Sequence, residues 1–396
     1  MRKLFIAVVF FISIVPLNAQ NFYSRPYHFS DSILLKCSSY EAATFLSYIG
    51  EYRKALESMD NFNPSEFETT WEDSVYFNKF KPVPAIDYII NKAKTEQIII
   101  VNEAHHQPYH RAFTSELLKG LYKQGYRYFG AETISAWDTL LNERKYPTQN
   151  SGIYTQEPVY GNLIRTALEI GFEVFPYEIT VFITDSTAEI RREIEQAKNI
   201  KKILDKDPKA KMLIHCGYDH LIETEVMGWE KAMAGRLIEY TNINPFTINQ
   251  VKLTEQSSKK FENPYFKMVD LNYYALFIDS NGTLFNGPAD KKQYDARVYH
   301  PRTKWVDGRP NWMFANNRKA TYINEKISTE FPCLVFAYLS SESTKEKENY
   351  NNLIPYDVIE IKNKNELKAL SLKNANYDIL IKDQKGQEQI LKLTVE

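Results

Sequence analysis

Five short apolar runs alternate with helical patterns between residues 96 and 255, and this alternation limits what the chain can fold into. The runs are Gln97–Val101, Tyr126–Ala131, Glu173–Tyr177, Lys211–His215 and Phe246–Leu253. Between them, Phe113, Leu117, Leu118 and Leu121 form one helical face that stops near Gly125. Leu163, Ile164, Ala167 and Leu168 form a second, stopped by Gly171, and Ile190, Ile194, Ala197 and Ile200 form a third. Strands that are apolar throughout are buried on both faces, and buried strands joined by helices make a parallel sheet. The expected class is α/β, a mainly parallel sheet flanked by helices.

The flanks differ in texture. Residues 21–95 read as a polar helical region. Within it, YEAATFLSYIGEYRKALESMD repeats Tyr40, Ala43, Leu46 and then Tyr52, Ala55, Leu56 at helical spacing about a break at Gly50, which makes a helical hairpin. Residues 256–396 change period. YYALFIDSNGTLFNG, PCLVFAYLS, YDVIEI and YDILIKDQKGQEQILKLTV read as strands joined by turns such as DSNG and DQKG, giving a β-rich C-terminal region. YHPRTKWVDGRPNW reads as a turn-rich loop packed on a domain surface.

The first residues set an expected compartment. Arg2 and Lys3 precede an apolar run from Leu4 to Leu17 and then LNAQ, the pattern of a secretory signal peptide over residues 1–19 cut after Ala19. The run is short for a bilayer span. The expectation is a periplasmic or secreted protein with no membrane span after cleavage. Loss of Arg2 and Lys3 takes the formal charge from −1 to −3, with lysines and glutamates spread evenly, so nucleic acid is not an expected partner. Cys37, Cys216 and Cys333 are too few and too scattered for a disulfide framework; one pair could bridge, or all three stay free.

Parallel sheets bind ligands beyond the carboxyl ends of their strands, where helix N-termini supply backbone N–H groups. Each of the first four runs is followed by acids or histidines. After the first come Glu103, His105, His106 and His110, so three of the chain's seven histidines lie within six positions. After the second comes Glu132, and after the third Glu178. The fourth ends at His215 and runs into Gly217, Asp219, His220 and Glu223. Arg165, Arg111, Tyr160 and Tyr218 are weaker candidates for the same cleft.

VNEAHHQPYH, GAETI and IHCGYDHLIE resemble the three signatures of the Tiki/TraB, ChaN and erythromycin-esterase-like superfamily. There a first strand ends in G-x-x-H or G-E-x-H, a second in a glutamate, and a late strand in another G-x-x-H, here Gly217-Tyr218-Asp219-His220. The resemblance covers residues 96–255. Asn102 stands where glycine is usual. His105 fits the Tiki and ChaN spacing, and His106 the esterase-like one. The resemblance implies a hydrolase or a haem-binding protein.

The residues themselves allow the same chemistries. An imidazole fixed by a carboxylate can activate water against an ester, amide or peptide bond, with backbone N–H groups after Pro108 stabilising the oxyanion. Glu103, His105, His106, Glu132, Arg165 and Glu178 are the catalytic candidates, with His110, His215, Gly217 and Glu223 elsewhere in the cleft. Alternatively His105, Glu132 and His220 form a two-histidine, one-carboxylate site for zinc or manganese. In a haem-binding uptake protein, histidine or tyrosine would be an axial ligand. No H-E-x-x-H helix and no G-x-S-x-G elbow is present. Three readings stand: an exported hydrolase of small-molecule or peptide substrates, with or without a divalent metal; a haem- or metal-binding protein; and a catalytically silent interaction protein.

Overall fold

The computed structural model describes residues 26–60, 62, 70–180, 184–287 and 293–396; the expected signal peptide lies outside them. Eight strands make one sheet: β1 (Lys81–Pro84), β2 (Ile98–Glu103), β3 (Tyr128–Ala131), β4 (Glu173–Phe175), β5 (Met212–Gly217), β6 (Phe246–Leu253), β7 (Ala275–Ile278) and β8 (Ala296–Tyr299). Their order is β1-β7-β8-β6-β2-β5-β3-β4. Every pair from β8 across to β4 is parallel, and only β1 and β7 run antiparallel to their neighbours. The expected α/β class is the observed one.

Alternation within β2 explains the layers. Ile99 and Val101 face α1 (Tyr109–Lys123) and α2 (Pro158–Ile170), in a core with Phe113, Leu117, Leu163 and Ile164. Ile98 and Ile100 face α3 (Ala188–Lys206) and α4 (Met233–Thr241), in a core with Ala197, Ile200 and Leu237. Helices on both faces leave β2 fully buried, as its continuous apolar run requires.

The sheet does not stop at residue 255. β7 and β8 come from the segment read as a β-rich appendage, and β1 from the segment read as helical. Period two identifies a strand but not the sheet it joins, so YYALFI gave no sign of its partners. The C-terminal region also supplies a separate four-stranded antiparallel sheet of β9 (Cys333–Leu339), β10 (Asp357–Ile361), β11 (Ala375–Asp383) and β12 (Glu388–Val395), ordered β10-β9-β11-β12. Leu334, Phe336, Tyr338, Val358 and Leu380 on one face of it pack against Ile33, Phe45, Leu46 and Tyr48 of the N-terminal helices. The two ends of the chain therefore make one layer.

This layer holds Arg165, which the sequence offered as a cleft residue. Its Nε and Nη2 each lie 2.7 Å from Glu342, and Nη2 also donates to the Ile354 carbonyl at 2.6 Å. Arg165 thus ties α2 to the C-terminal region instead of facing the strand ends. Periodicity within α2 could not reveal a partner so distant in the chain. The three thiols are free. Among the described residues no helix is long and apolar enough to cross a membrane.

Candidate functional site

β2, β5 and β3 are neighbours, and their register aligns Glu103 with Gly217 and Ala131 with His215. Glu103 and Gly217 therefore leave the sheet side by side, and Glu132 follows Ala131 on the next strand, one residue short of their level. Glu103 is 1% exposed and accepts from four donors. Arg111 gives Nε and Nη2 at 2.6 Å each, His215 gives Nε2 at 2.8 Å and His105 gives Nδ1 at 2.9 Å. Burial pushes the Glu103 carboxyl up, but Arg111, His105 and His215 together hold the group well below the usual carboxylate range. Arg111 Nη1 continues to Glu157 at 2.9 Å, and Glu157 caps the start of α2 by accepting from Val159 and Tyr160 N–H.

A permanent anion can only accept, so Glu103 fixes the His105 proton on Nδ1 and leaves Nε2 with a free lone pair. Nε2 lies 4.0 Å from Glu132 Oε1. His220 repeats the plan. Its Nδ1 is 2.9 Å from Glu193 Oε2, and its Nε2 is 3.8 Å from the same Glu132 oxygen. Glu132 Oε1 also accepts from Arg192 Nη2 at 2.8 Å, and Oε2 accepts from the Gly217 N–H. Burial raises the Glu132 carboxyl, yet His220, Arg192 and His105 together hold it down at about 2.

Burial lowers the His220 imidazole, while Glu193 and Glu132 prevail and raise it above its ordinary value. Arg192 Nη1 stands 3.0 Å from His220 Nε2 and can only donate, so it opposes that proton. Rings cover both histidines: Tyr154 stacks on His105 at 4.0 Å and Trp229 on His220 at 5.1 Å.

Local backbone serves this packing. A Cβ on Gly217 would lie 2.6 Å from His105 Nε2 and 2.9 Å from Glu132 Oε2, so only glycine admits the contact. Thr133 and Tyr218, directly after Glu132 and Gly217, have φ of 63° and 35°. Left-handed conformations are costly for such side chains and concentrate at functional sites. The accessory layer supports the loop that carries Tyr154 and Glu157: Tyr48 donates to the Ile153 carbonyl at 3.0 Å and Tyr27 to that of Gln156 at 2.7 Å.

The other sequence candidates have separate places. His106 turns from Glu132 toward the Tyr218 hydroxyl, 3.3 Å away, and burial holds its ring at about 3. The two registers left open by the sequence thus part here: His105 faces the centre and His106 does not. His110 Nδ1 accepts from Ala104 N–H at 3.0 Å and braces the loop. His215 braces Glu103 from within the sheet. Glu178 grips Arg192, with distances of 3.0 Å to Nε and 2.6 Å to Nη2. Glu223 bonds Thr247, which pairs within the sheet beside Ile100, so it lies on the sheet face and away from the strand ends. Asn102, where the resembling family has glycine, donates to the Tyr218 carbonyl at 2.6 Å and accepts from Gln250 N–H at 2.8 Å. It fastens the edge of the site to β6.

Arg192, Glu193, Glu157, Tyr154 and Trp229 were not read from the sequence. One signal was available for Glu193. The buried stripe of α3 is Glu193, Gln196, Ala197, Ile200 and Leu204, not the Ile190 and Ile194 face that hydrophobicity suggests. A carboxylate and an amide on a buried stripe demand polar partners.

Zinc or manganese would need His105, Glu132 and His220 to converge. Two donors on one tetrahedral ion stand about 3.3 Å apart, given metal–ligand distances of ~2.0–2.1 Å. Here the separations are 4.0 and 3.8 Å, and Arg192 occupies the ground between Glu132 and His220. Among the described residues no group of three or more His, Cys, Asp or Glu is arranged to hold a metal ion. Haem iron meets a similar obstacle at these two histidines: each Nε2 faces Glu132 and each ring has an aromatic side chain stacked on it, so a macrocycle would have to displace them. His105, Glu132 and His220 as arranged fit neither group.

No family model matches the chain, and no curated protein matches it. Among solved structures it is similar to the type III effector HopBA1, at 9% identity and a TM-score of 0.35 over 56% of this chain and 95% of that one. It is also similar to RRSP, a MARTX toxin effector domain from Vibrio vulnificus CMCP6, at 12% identity and a TM-score of 0.31 over 54% of this chain and 46% of that one. Likenesses this distant carry no argument about activity.

Proposed function

We propose that the chain is an exported hydrolase of ester, amide or peptide bonds, with His105 as its general base. One observation carries the reading: two histidines, each fixed at Nδ1 by its own carboxylate, present Nε2 within 4.0 Å of one Glu132 oxygen. A 4.0 Å gap is too long for a direct hydrogen bond and suits a water held between the two. His105 Nε2 takes a proton from that water, and Glu103 and Glu132 stabilise the imidazolium. The hydroxide oxygen attacks the carbonyl carbon, and His105 returns the proton to the leaving oxygen or nitrogen. The signal-like start supports action outside the cytoplasm on a small-molecule or peptide substrate.

The test is turnover of a panel of p-nitrophenyl esters, lactones and fluorogenic peptides. We expect the wild type to cleave at least one class, and His105→Ala to lose about 10²–10⁴-fold in rate with an unchanged circular dichroism spectrum. A wild type inert to every class, or a fully active His105→Ala, overturns the reading.

A further inference from the structure

We infer that Arg192 receives the carbonyl oxygen of the substrate, and that the scissile group is therefore uncharged; this rests on the hydrolase reading above. Position is the first argument. The guanidinium bonds Glu132, toward which His105 Nε2 points, and His220, which approaches the same Glu132 oxygen. Access is the second. The Arg192 side chain is 22% exposed, against 3–6% for His105, Glu132 and His220, so a molecule entering from solvent meets it before the base.

Rigidity is the third. Glu178 holds Nε and Nη2, and Gln196 in turn donates to both Glu178 oxygens at 3.2 and 3.1 Å. A donor fixed before the reaction needs no reorganisation when charge develops. Donor accounting is the fourth. Of the five guanidinium N–H groups, Nε uses one on Glu178, Nη2 uses two on Glu178 and Glu132, and Nη1 uses one on His220. Among the described residues the second Nη1 hydrogen has no protein acceptor.

Charge selects the ligand. Arg192 already answers two carboxylates, Glu132 and Glu178, and Glu193 stands behind His220. A phosphate or carboxylate arriving in the ground state meets net negative charge and is repelled. A neutral carbonyl is not, and it gains negative charge only as the water oxygen bonds to carbon and the C=O electron pair moves onto oxygen. Arg192 bonds that oxygen. When the pair returns, the bond to the leaving group breaks and His105 supplies the proton. The substrate class is thus a neutral ester or amide, not a phosphoester.

The experiment uses the best ester from the panel, p-nitrophenyl phosphate and inorganic phosphate, with wild type, Arg192→Ala and Arg192→Lys. We expect Arg192→Ala to lower kcat about 10²–10³-fold with KM changed only a few-fold. Arg192→Lys should keep an intermediate rate, and ~50 mM methylguanidinium should restore part of the alanine variant's rate. Wild type should leave p-nitrophenyl phosphate intact and ignore 10 mM phosphate. Full kcat in Arg192→Ala, or a purely KM effect, overturns the inference while leaving the hydrolase reading in place. Competitive inhibition by phosphate that Arg192→Ala abolishes also overturns it. If Arg192→Ala fails to fold, Arg192→Lys decides: kcat equal to wild type contradicts the geometry. A wild type inert to all esters removes both readings.

Discussion

His105 and His220 aim their Nε2 atoms at the same oxygen of Glu132, from 4.0 and 3.8 Å, although one follows β2 and the other β5. Neither histidine is free to turn. Glu103 and Glu193 hold the opposite ring nitrogens, and Tyr154 and Trp229 lie on the ring faces.

Gly217 lets the convergence exist. Gly217→Ala places a methyl against the His105 ring and Glu132 Oε2. We expect at least a 10²-fold loss of turnover and a cost of about 1–3 kcal/mol from overpacking. Steady-state rates and urea denaturation check both.

Arg165 separates site from scaffold. Arg165→Ala should leave kcat and KM near wild type, because its partners are Glu342, Asn162 and the Ile354 carbonyl. It leaves Glu342 buried without its cation, at a cost of about 3 kcal/mol. Thermal melting should show the loss, and a kinetic defect at temperatures well below the midpoint would count against this placement.

Two buried histidines should make the fold sensitive to acid, while Glu223, whose carboxyl burial pushes up to about 7, acts in the opposite sense. Burial holds the rings of His106 and His300 down at about 3, so both stay neutral in the folded chain through mildly acidic pH. Unfolded histidines take up protons below about 6.5. At these two positions the unfolded state therefore binds more protons, and their contribution to stability falls as pH drops from about 6.5 toward 3. Each ring contributes at most about 2 kcal/mol of loss between pH 7 and pH 5. Between pH 7 and pH 5 the urea midpoint of His300→Phe should fall less, or rise more, than that of the wild type.

Much of the sheet was legible because buried parallel strands are apolar throughout, and the strand ends stood out because ionisable groups follow such runs abruptly. Glu103, His105, Glu132 and His220 could be named on that ground. Arg192 could not, because RREIEQ on a charged helix looks like a solvated face, and its exposure depends on how α3 docks. Arg165 misled for the opposite reason: it lies among apolar residues, as a site residue would, yet its partner Glu342 comes from a distant part of the chain. The fate of β1, β7 and β8 was hidden because strand periodicity does not specify a neighbour.

The most direct test of a shared centre is the turnover of His105→Ala, His220→Ala and the double variant on one ester. Groups acting as a unit are non-additive. The account predicts that the double variant is no slower than the worse single variant within a few-fold. Losses that multiply would place the two histidines in independent roles and contradict a single centre on Glu132.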